Sequence, residues 1–134
     1  MDCIFCKIIA GEIPANKVFE DEKVVAFMDI FPSTVGHLLL VPKKHFKDML
    51  EADDETLSVI AVHVPKIARA AMAATGATGF NVGINTGAAA GQVVMHLHWH
   101  IMPRYENDGL QFWKPIEQTP EELTTMAEKI RSAI

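Results

Sequence analysis

The stretch Met95-His96-Leu97-His98-Trp99-His100-Ile101-Met102 decides how the rest of the chain is interpreted, because histidine alternates in it with apolar residues. A period of two is typical of a β-strand, whose successive side chains point to opposite faces of the sheet. We therefore expect a strand over residues 94–103, with its apolar side chains in a core and its three histidines on the other face. A half-exposed strand could use Thr, Lys or Glu at these positions, so the histidines indicate chemistry.

The spacing of the three histidines indicates that their roles differ. Residues on one face of a strand lie about 7 Å apart, so the outer two histidines are separated by about 13 Å. Metal–nitrogen bonds are about 2.0–2.1 Å long, so His96 and His100 could meet on one ion only with implausible splaying. Imidazole titrates near neutral pH and can act as nucleophile, acid or base, which makes a second, non-metal role credible.

A loop of small residues, Gly87-Ala88-Ala89-Ala90-Gly91-Gln92-Val93, precedes the histidines. Its backbone N–H groups around Gly91 can form an anion-binding turn for a phosphate, and the amide of Asn85 adds a donor or acceptor nearby. Most such loops are only turns, and the strand–glycine–helix order of the dinucleotide fingerprint is absent. The closeness of this loop to the histidines is what favours a phosphate site.

Taken together, these residues resemble the signature of a known family. The segment His96-Leu97-His98-Trp99-His100-Ile101-Met102 resembles the His-φ-His-φ-His-φ-φ motif of the histidine-triad family, in which φ is apolar. Further matching segments are Cys3-Ile4-Phe5-Cys6, Gly11-Glu12-Ile13-Pro14, Ala26-Phe27-Met28-Asp29-Ile30, Gly36-His37, Pro42-Lys43-Lys44-His45 and Gly91-Gln92. The resemblance is to the Hint-like branch, especially its small bacterial zinc-binding members. It implies a nucleotide-binding hydrolase that cleaves nucleoside phosphoramidates or related nucleotidyl compounds through a nucleotidyl-histidine intermediate.

Composition and charge fit that interpretation. The chain has 134 residues, 49% of them hydrophobic, which suits one domain over residues 1–134. The formal net charge is −5 and the chain has no basic block, which argues against a nucleic acid polymer as partner. Its apolar runs are short and it has no signal-peptide pattern at the start, so we expect a cytoplasmic protein that does not contact the membrane.

The pattern of apolar residues predicts an α+β fold: an antiparallel sheet of about five strands with a short N-terminal helix, one long helix and a C-terminal helix. The predicted strands cover residues 17–20, 23–29, 37–41, 79–85 and 94–103, and the predicted helices cover residues 2–10, 53–75 and the segment after Thr119. Asp2 is the expected cap of the first helix, and Pro65 is expected to kink the second. We expect the helices on one sheet face, the histidines on the open face, and residues 105–118 to be irregular.

The pair Cys3 and Cys6 has three interpretations: half of a zinc site, a redox pair, or two ordinary helical residues. A redox pair would be expected between a strand and a helix. Zinc needs two further ligands, and His45 and His96 are candidates. The resemblance implies these four residues as the ligands of one structural zinc ion per chain, and it implies no catalytic metal.

The resemblance also implies the catalytic roles. His98 would attack the α-phosphorus of the substrate, and water would hydrolyse the resulting nucleotidyl-His98. His100 would bond a phosphoryl oxygen or the leaving group, while His37, on a facing strand, would orient His98. A buried core histidine is nearly as good an interpretation of His37 from sequence alone. The amides of Gly91, Gln92 and Val93 and the Gln92 side chain would hold the developing charge.

A purine nucleoside monophosphate, or a conjugate of one, is the expected ligand. Four apolar residues could form a slot for the base, although each could be ordinary core: Phe5, Ile8, Phe27 and Ile30. Asp29 would accept hydrogen bonds from the ribose hydroxyls, as the matching family aspartate does. We expect Trp113 on the leaving-group side. The family further implies a homodimer with two sites.

One departure and two alternatives accompany this interpretation. Hint-like and Fhit-like relatives usually have Ser or Thr after Gly-Gln, whereas this chain has Val93, which removes a side-chain donor. The alternatives are a dinucleoside polyphosphate hydrolase of the Fhit-like branch and a nucleotide-binding regulator with incidental catalysis. The cysteine pair and Pro-Lys-Lys-His favour the Hint-like branch, and an intact His98 argues against a pure binding protein. His63 and Arg104 are expected at the surface or an interface, outside the site.

Overall fold

Five antiparallel strands form one sheet in the order β1-β2-β3-β5-β4, in a computed structural model that describes residues 2–111 and 113–134. The strands are β1 (Lys17–Glu20), β2 (Val24–Met28), β3 (Leu38–Pro42), β4 (Gly79–Gly83) and β5 (Trp99–Arg104). The helices are α1 (Ile4–Ile9), α2 (Asp54–Thr75) and α3 (Pro120–Ala133), with a 3₁₀ turn at Ala88–Ala90. The predicted α+β class and five-stranded antiparallel sheet are confirmed.

The histidine strand is shorter than predicted, since β5 begins at Trp99 and not at residue 94. Leu38 lies opposite Ile101 in the β3–β5 pair, so a longer ladder would place Pro42 opposite Leu97. Proline has no N–H to donate to a ladder, and Leu97 N–H donates instead to Phe46 O at 2.7 Å. The alternation still separates the side chains, because Leu97 and Ile101 lie in the core beneath α2.

Helices cover both faces of the sheet, so the expectation of one open face was wrong. On one face α2 packs against the even-numbered residues of β2 and β3; this core comprises Val24, Ala26, Leu38, Leu40, Ile60, Val64, Ile67, Ala68, Leu97 and Ile101. On the other face Phe5 and Ile8 of α1 pack against odd-numbered residues; this core comprises Cys3, Phe5, Ile8, Val25, Phe27, Leu39 and Val41. Phe5 and Ile8, three residues apart on one side of α1, hold this helix against the sheet face that carries the histidines.

The start of α1 differs from the prediction. Cys3, which has extended backbone dihedrals, is the N-cap, and its Sγ accepts a hydrogen bond from Cys6 N–H at 3.5 Å. Asp2 lies one residue too early to cap and instead pairs with Lys7 Nζ at 2.9 Å. Gly11, at φ +79°, follows the helix in the left-handed conformation that glycine adopts without strain.

The other helices begin where their capping residues predict. Asp53 caps α2 by accepting from Thr56 N–H at 2.8 Å, and Pro65 lies inside this helix without ending it. Thr119 and Glu122 form the predicted capping box of α3. The length and hydropathy of α2 would also suit a membrane span, but its buried residues pack on the sheet as those of a core helix do. The described residues between 105 and 118 contain no helix or strand, as predicted.

His63 and Arg104 make internal contacts and lie outside the histidine cluster. His63 Nε2 is 2.9 Å from Asp21 Oδ2, and its ring lies against Phe19, so it ties α2 to the β1–β2 hairpin. This replaces the expected surface or interface position. Arg104 binds both carboxylate oxygens of Asp108, at 2.7 and 2.9 Å, and thereby holds the segment that leaves β5.

Candidate functional site

A cavity of about 410 Å³ lies between α1, the end of β2 and the loop before β5. The predicted site residues that line it are Phe5, Ile8, Phe27, Asp29, Ile30, Asn85, Gly91, Val93, His98 and His100. Residues from three distant parts of the chain are therefore brought together around one space. Its volume falls in the range of roughly 300–1,000 Å³ that is usual for small-molecule sites.

His98 is held with one ring nitrogen free. Its Nδ1 lies 2.7 Å from the carbonyl oxygen of His96, which can only accept, so Nδ1 carries the proton and Nε2 carries a lone pair. Burial lowers the pKa of His98, and the edge of the Phe5 ring lies against it with ring centroids 5.1 Å apart. A neutral imidazole with an unprotonated Nε2 is the form that can attack an electrophile.

His37 contacts His100 and not His98, which corrects the expected orienting role. Ser33 N–H donates to His37 Nδ1 at 2.9 Å, so the proton of His37 is on Nε2. That atom lies 2.9 Å from His100 Nδ1, which must accept, and the proton of His100 is therefore on Nε2. His37 directly precedes β3 and is two residues before Leu39, which lies opposite His100 in the ladder. Side chains two residues apart point to the same face, so His37 lies beside His100.

The Nε2–H of His100 is a buried donor without a partner among the described residues. Its pKa is lowered to about 4, first by burial and then by His98 and His37 beside it, so the ring is neutral at pH 7. A buried donor left unsatisfied is costly, and such groups in native proteins commonly meet a ligand or water. His98 and His100, with ring centroids 5.0 Å apart, thus present a lone pair and a proton to neighbouring parts of the site.

The Asp29 carboxylate lies between the apolar slot and the histidines. Its Oδ1 accepts from Phe31 N–H at 2.8 Å, while Oδ2 lies 3.4 Å from His37 Nε2 and 3.9 Å from His100 Nδ1. These three side chains could also be considered as metal ligands. The Ser33–His37–His100 hydrogen bonds already account for their geometry, and the absence of a catalytic metal stays a prediction.

The apolar slot has a buried back and an exposed lip. Phe5 and Phe27 meet edge to face with ring centroids 5.4 Å apart, and both are buried. Ile30 is 76% exposed and Phe31 is 83% exposed, so both line the mouth. Sequence reasoning missed Phe31, whose signal was a second large apolar residue in the turn after Asp29.

The Gln92 side chain is buried and does not line the cavity, and its contact with phosphate stays a prediction. Its Oε1 accepts from Gly87 N–H at 2.9 Å, and its Nε2 donates to Lys47 O at 2.7 Å and Val94 O at 3.2 Å. Gln92 is thus a buried brace that joins both ends of the glycine loop to the segment after β3. The sequence does not distinguish this structural role from a ligand contact, because the role depends on residues far away in the chain, such as Lys47.

The glycine loop offers fewer free amides than expected. Gly91, at φ +91°, donates its N–H to Ala88 O, and the Gln92 N–H donates to Gly87 O. The Val93 N–H makes no hydrogen bond within residues 2–111 and 113–134. Asn85 Nδ2 lies 3.4 Å from Gly91 O and supports the turn from below. The amide of Val93 is therefore the donor that the loop presents to the cavity.

A second cavity of about 430 Å³ opens on the other side of His100. Trp113, 92% exposed, lines it together with Ser33, His37 and Leu110. The predicted place of Trp113 on the leaving-group side of the site stays a prediction.

Cys3, Cys6, His45 and His96 form a separate cluster whose ligand atoms all lie within 4.8 Å of one another. His45 Nδ1 and His96 Nδ1 are 3.0 Å apart, Cys3 Sγ is 3.5 Å from His96 Nδ1, and Cys6 Sγ is 3.3 Å from His45 Nδ1. Tetrahedral zinc with bonds of about 2.3 Å to sulfur and 2.0–2.1 Å to nitrogen would separate these atoms by about 3.3–3.6 Å. The spacing of the four atoms fits zinc.

The hydrogen bonding of His96 agrees with a metal ligand. Its Nε2 lies 2.8 Å from Pro42 O, so this nitrogen is the donor and Nδ1 is left with a lone pair facing the cysteines. Metal-bound histidines commonly donate their second nitrogen to a carbonyl in this way. The cluster has no position left open for a substrate, which is typical of a structural site.

Comparison with known proteins agrees with this architecture. Residues 10–107 match the model of the HIT domain family. The chain is 40% identical to adenosine 5′-monophosphoramidase hnt1 of Schizosaccharomyces pombe, over 100% of this chain and 99% of the relative. It resembles the crystal structure of a HIT family member from Bacillus subtilis, with 43% identity, a TM-score of 0.90 and coverage of 100% and 98%.

A zinc-bound structure also matches. It is a histidine triad family protein from Mycobacterium smegmatis, with 37% identity, a TM-score of 0.80 and coverage of 100% of this chain and 99% of that one. With the fold, the histidine motif and these relatives in agreement, the chain belongs to the histidine-triad (HIT) family, and its likeness extends to the bacterial-type and Hint-like members.

Proposed function

We propose that this chain is a nucleotidyl hydrolase that cleaves nucleoside phosphoramidates or related nucleotidyl compounds through a covalent nucleotidyl-His98. The observation that carries the proposal is the pair formed by His98 and His100, one with a free lone pair and the other with a free N–H, at the wall of one cavity. The name of the fission yeast relative, a monophosphoramidase, supports this class of reaction.

Substrate binding follows from the two ends of the cavity. The base occupies the slot of Phe5, Ile8, Phe27 and Ile30, and the ribose hydroxyls donate to the Asp29 carboxylate. The phosphoryl group then lies beside the Val93 N–H and the two histidines. A purine nucleoside monophosphate unit fits this order of apolar, acceptor and donor surfaces.

The chemistry takes two steps. His98 Nε2 forms a bond to the α-phosphorus while the bond to the leaving amine breaks, and the His100 Nε2–H donates to a phosphoryl oxygen or to the departing group. The nucleotidylated ring of His98 is cationic, and the His96 carbonyl at 2.7 Å stabilises its Nδ1–H. Water then attacks phosphorus, the His98–phosphorus bond breaks, and the nucleoside monophosphate leaves.

The metal cluster is proposed to hold one structural zinc per chain, with Cys3, Cys6, His45 and His96 as ligands. Zinc bound there would supply a cross-link and no reaction step, because all four positions are occupied by protein. We further propose that the chain forms a homodimer, as the resemblance to the family implies, and that it is cytoplasmic.

The test is His98→Asn assayed on three substrate classes: adenosine phosphoramidates, dinucleoside polyphosphates and adenylyl esters. We expect turnover to be lost while the affinity for AMP stays within about tenfold, since His98 acts in bond making. His63→Asn is the matched control, a histidine outside the site, and should retain turnover. Mass spectrometry after an acid-free quench should find a nucleotidyl adduct on His98 of the wild type.

Wild-type-like turnover by His98→Asn would refute the covalent mechanism. Faster hydrolysis of dinucleoside polyphosphates than of phosphoramidates would favour the Fhit-like alternative. AMP binding without turnover of any class by the wild type would favour the regulatory one.

A further inference from the structure

The proposed zinc ligands and the nucleotide cavity share one short helix. Cys3 is the N-cap of α1 and Cys6 lies in its first turn, while Phe5 and Ile8 of the same six-residue helix line the cavity. The two sets of side chains alternate along the six residues from Cys3 to Ile8. A displacement of the cysteines therefore moves the wall of the cavity.

A helix of six residues is not stable without tertiary support, because isolated helices shorter than about 12–15 residues are marginal in water. In this chain α1 has two kinds of support. Phe5 and Ile8 pack on the sheet, and the cysteines lie against His45 and His96. Loss of the metal from a fitting site would remove the second support and leave only the first.

Phe5 carries this dependence to the catalytic histidine. Its ring contacts His96 at 5.9 Å and His98 at 5.1 Å between centroids, so one side chain bridges a zinc ligand and the nucleophile. His96 and His98 are also joined by the 2.7 Å hydrogen bond from Nδ1 of the second to the carbonyl of the first. Two independent contacts therefore connect the metal cluster to the reacting atom.

Cys3 is buried and Cys6 is partly exposed, so a small oxidant reaches the pair through Cys6. A surface cavity of about 470 Å³ is lined by Cys3 and His45 and reaches Val93 of the glycine loop. Residues three apart at the start of a helix have Cα atoms about 5 Å apart, within the roughly 4.4–6.8 Å that a disulfide spans. The Sγ atoms lie within 4.8 Å of each other.

We infer that Cys3 and Cys6 form a peroxide-sensitive zinc thiolate pair whose state sets the nucleotide affinity of the neighbouring cavity. In the reduced state the metal holds α1 on the sheet and the base slot is complete. In the oxidised state the pair forms a disulfide, the metal leaves, and Phe5 and Ile8 are no longer held against His98. This inference rests on the proposed function for the identity of the nucleotide.

The redox step balances with hydrogen peroxide as the oxidant. The two thiolates give up two electrons and form one S–S bond. The O–O bond of peroxide breaks, and with two protons from solvent it gives two molecules of water. Zinc retains only His45 and His96 as ligands and dissociates as Zn²⁺. A dithiol reductant with added zinc reverses the step.

The first experiment titrates the zinc-loaded full chain with hydrogen peroxide in the presence of a chromophoric zinc chelator. We expect close to one zinc released per chain, a Cys3–Cys6 disulfide by mass spectrometry, and a Kd for AMP that rises at least fivefold by calorimetry. Dithiol and zinc should restore the Kd. Methionine sulfoxide is not reversed by a dithiol, so recovery separates the cysteine pair from methionine damage.

The second experiment uses the reciprocity of coupled binding. If zinc raises AMP affinity by a given factor, AMP must raise zinc affinity by the same factor, which a competing chelator measures in the reduced protein. Inorganic phosphate is the control ligand, because it has no base to contact α1. Protection by AMP but not by phosphate locates the coupling in α1, whereas equal protection by both indicates global unfolding and overturns the inference.

Phe5→Leu is the matched variant, because it keeps the four ligands and removes the ring that bridges His96 and His98. We expect it to bind zinc normally and to show at most a twofold change in AMP affinity on zinc removal. If the AMP affinity of the wild type is unchanged after zinc removal, or if zinc is retained in peroxide, this inference is overturned. The proposed function is not affected by either result. Failure of the untreated zinc-loaded protein to bind AMP would instead contradict the proposed function, and with it the coupling.

Discussion

At the scale of single residues, partners decide which histidine nitrogen is free. His98 and His100 lie two residues apart, yet a carbonyl fixes the proton of the first on Nδ1 and His37 fixes the proton of the second on Nε2. The motif alone cannot assign these tautomers. They follow from Ser33 and His96, whose backbone groups contact the rings.

Asp29→Asn should reduce the preference for ribonucleotides over 2′-deoxyribonucleotides. A charged acceptor for a hydroxyl contributes on the order of 1–3 kcal/mol, so the wild-type preference should be about 5- to 150-fold and the variant's clearly smaller. Calorimetry with AMP and 2′-deoxy-AMP measures the ratio. Exposed Glu12→Gln serves as the control. Equal affinity of the wild type for both sugars would show that the carboxylate serves only His37 and the turn at Phe31.

Val93→Ser should raise kcat/KM most for substrates with basic alkylamine leaving groups. The Val93 side chain is 87% exposed at the cavity, so a hydroxyl can be placed there without loss of core packing. One restored hydrogen bond of roughly 1.5 kcal/mol corresponds to about a tenfold gain. Val93→Ala separates the donor from the change in size and should give no gain. If Val93→Ser changes kcat/KM equally for alkylamine substrates and for activated esters, the side chain at position 93 serves only in packing.

The sequence predicted the roles of residues that belong to a spaced motif. It did not predict roles that depend on hydrogen bonds between residues far apart in the chain. Cys3, Cys6, His45 and His96 were grouped correctly, as the cluster shows. His37 was given His98 as its partner in place of His100, and the structural hydrogen bonds of Gln92 were missed, because an amide or imidazole has the same local pattern whether it meets a ligand or a carbonyl 45 residues away. The predicted catalytic and nucleotide contacts stay predictions.

At the scale of elements, periodicity and capping residues predicted the helices and strands better than the sequence predicted the partners of single side chains. Asp53 and Thr119 marked helix starts because side-chain oxygens satisfy free N–H groups there. The six residues of α1 gave too little pattern to show which sheet face the helix covers. The β3–β5 ladder ends at the pair Leu40–Trp99, and its cause was visible in the sequence as Pro42, which is the last residue of β3.

Two neighbouring elements leave apolar surface exposed, and we predict that a second copy of the chain covers it. Val62 on the outer side of α2 is 71% exposed, and Phe80 and Val82 on the edge strand β4 are 39% and 37% exposed. An uncovered edge strand beside an apolar helix face is an association surface. We expect Val62→Glu to convert a dimer to a monomer in light scattering after size exclusion.

Exposed Glu121→Lys on α3 is a charge-changing control away from that surface. A wild type that is monomeric at micromolar concentration would contradict the predicted homodimer. A Val62→Glu variant that stays dimeric would place the interface elsewhere.

At the scale of the whole molecule, the buried histidines make stability depend on pH. Burial lowers the pKa of His37, His96, His98 and His100, the last to about 4 from an ordinary value of 6.5. Between these values the unfolded chain binds a proton that the folded chain does not. The free energy of unfolding is therefore unaffected by protonation of these histidines above pH 6.5, and it decreases as the pH falls from 6.5 towards 4.

His100→Asn should flatten this dependence. Urea unfolding at pH 7, 6 and 5 should show a wild-type slope that exceeds the variant's by up to one proton, or about 1.4 kcal/mol per pH unit, and a total difference of up to about 2 kcal/mol between pH 7 and pH 5. Both proteins carry the same zinc ligands, so acid release of metal cancels in the difference. Parallel pH profiles would show that His100 is not desolvated in the folded state.

The position of the histidines in the sheet has a consequence for how new specificity can evolve. His100 lies on β5, which has β3 on one side and β4 on the other, while the base slot and the phosphate loop come from α1, the turn after β2 and the segment before β5. Mutations in those peripheral segments, at positions other than His98, alter which nucleotide or leaving group fits without disturbing the paired strands. Descendants of such a chain can therefore change substrate repeatedly while inheriting the same reactive pair.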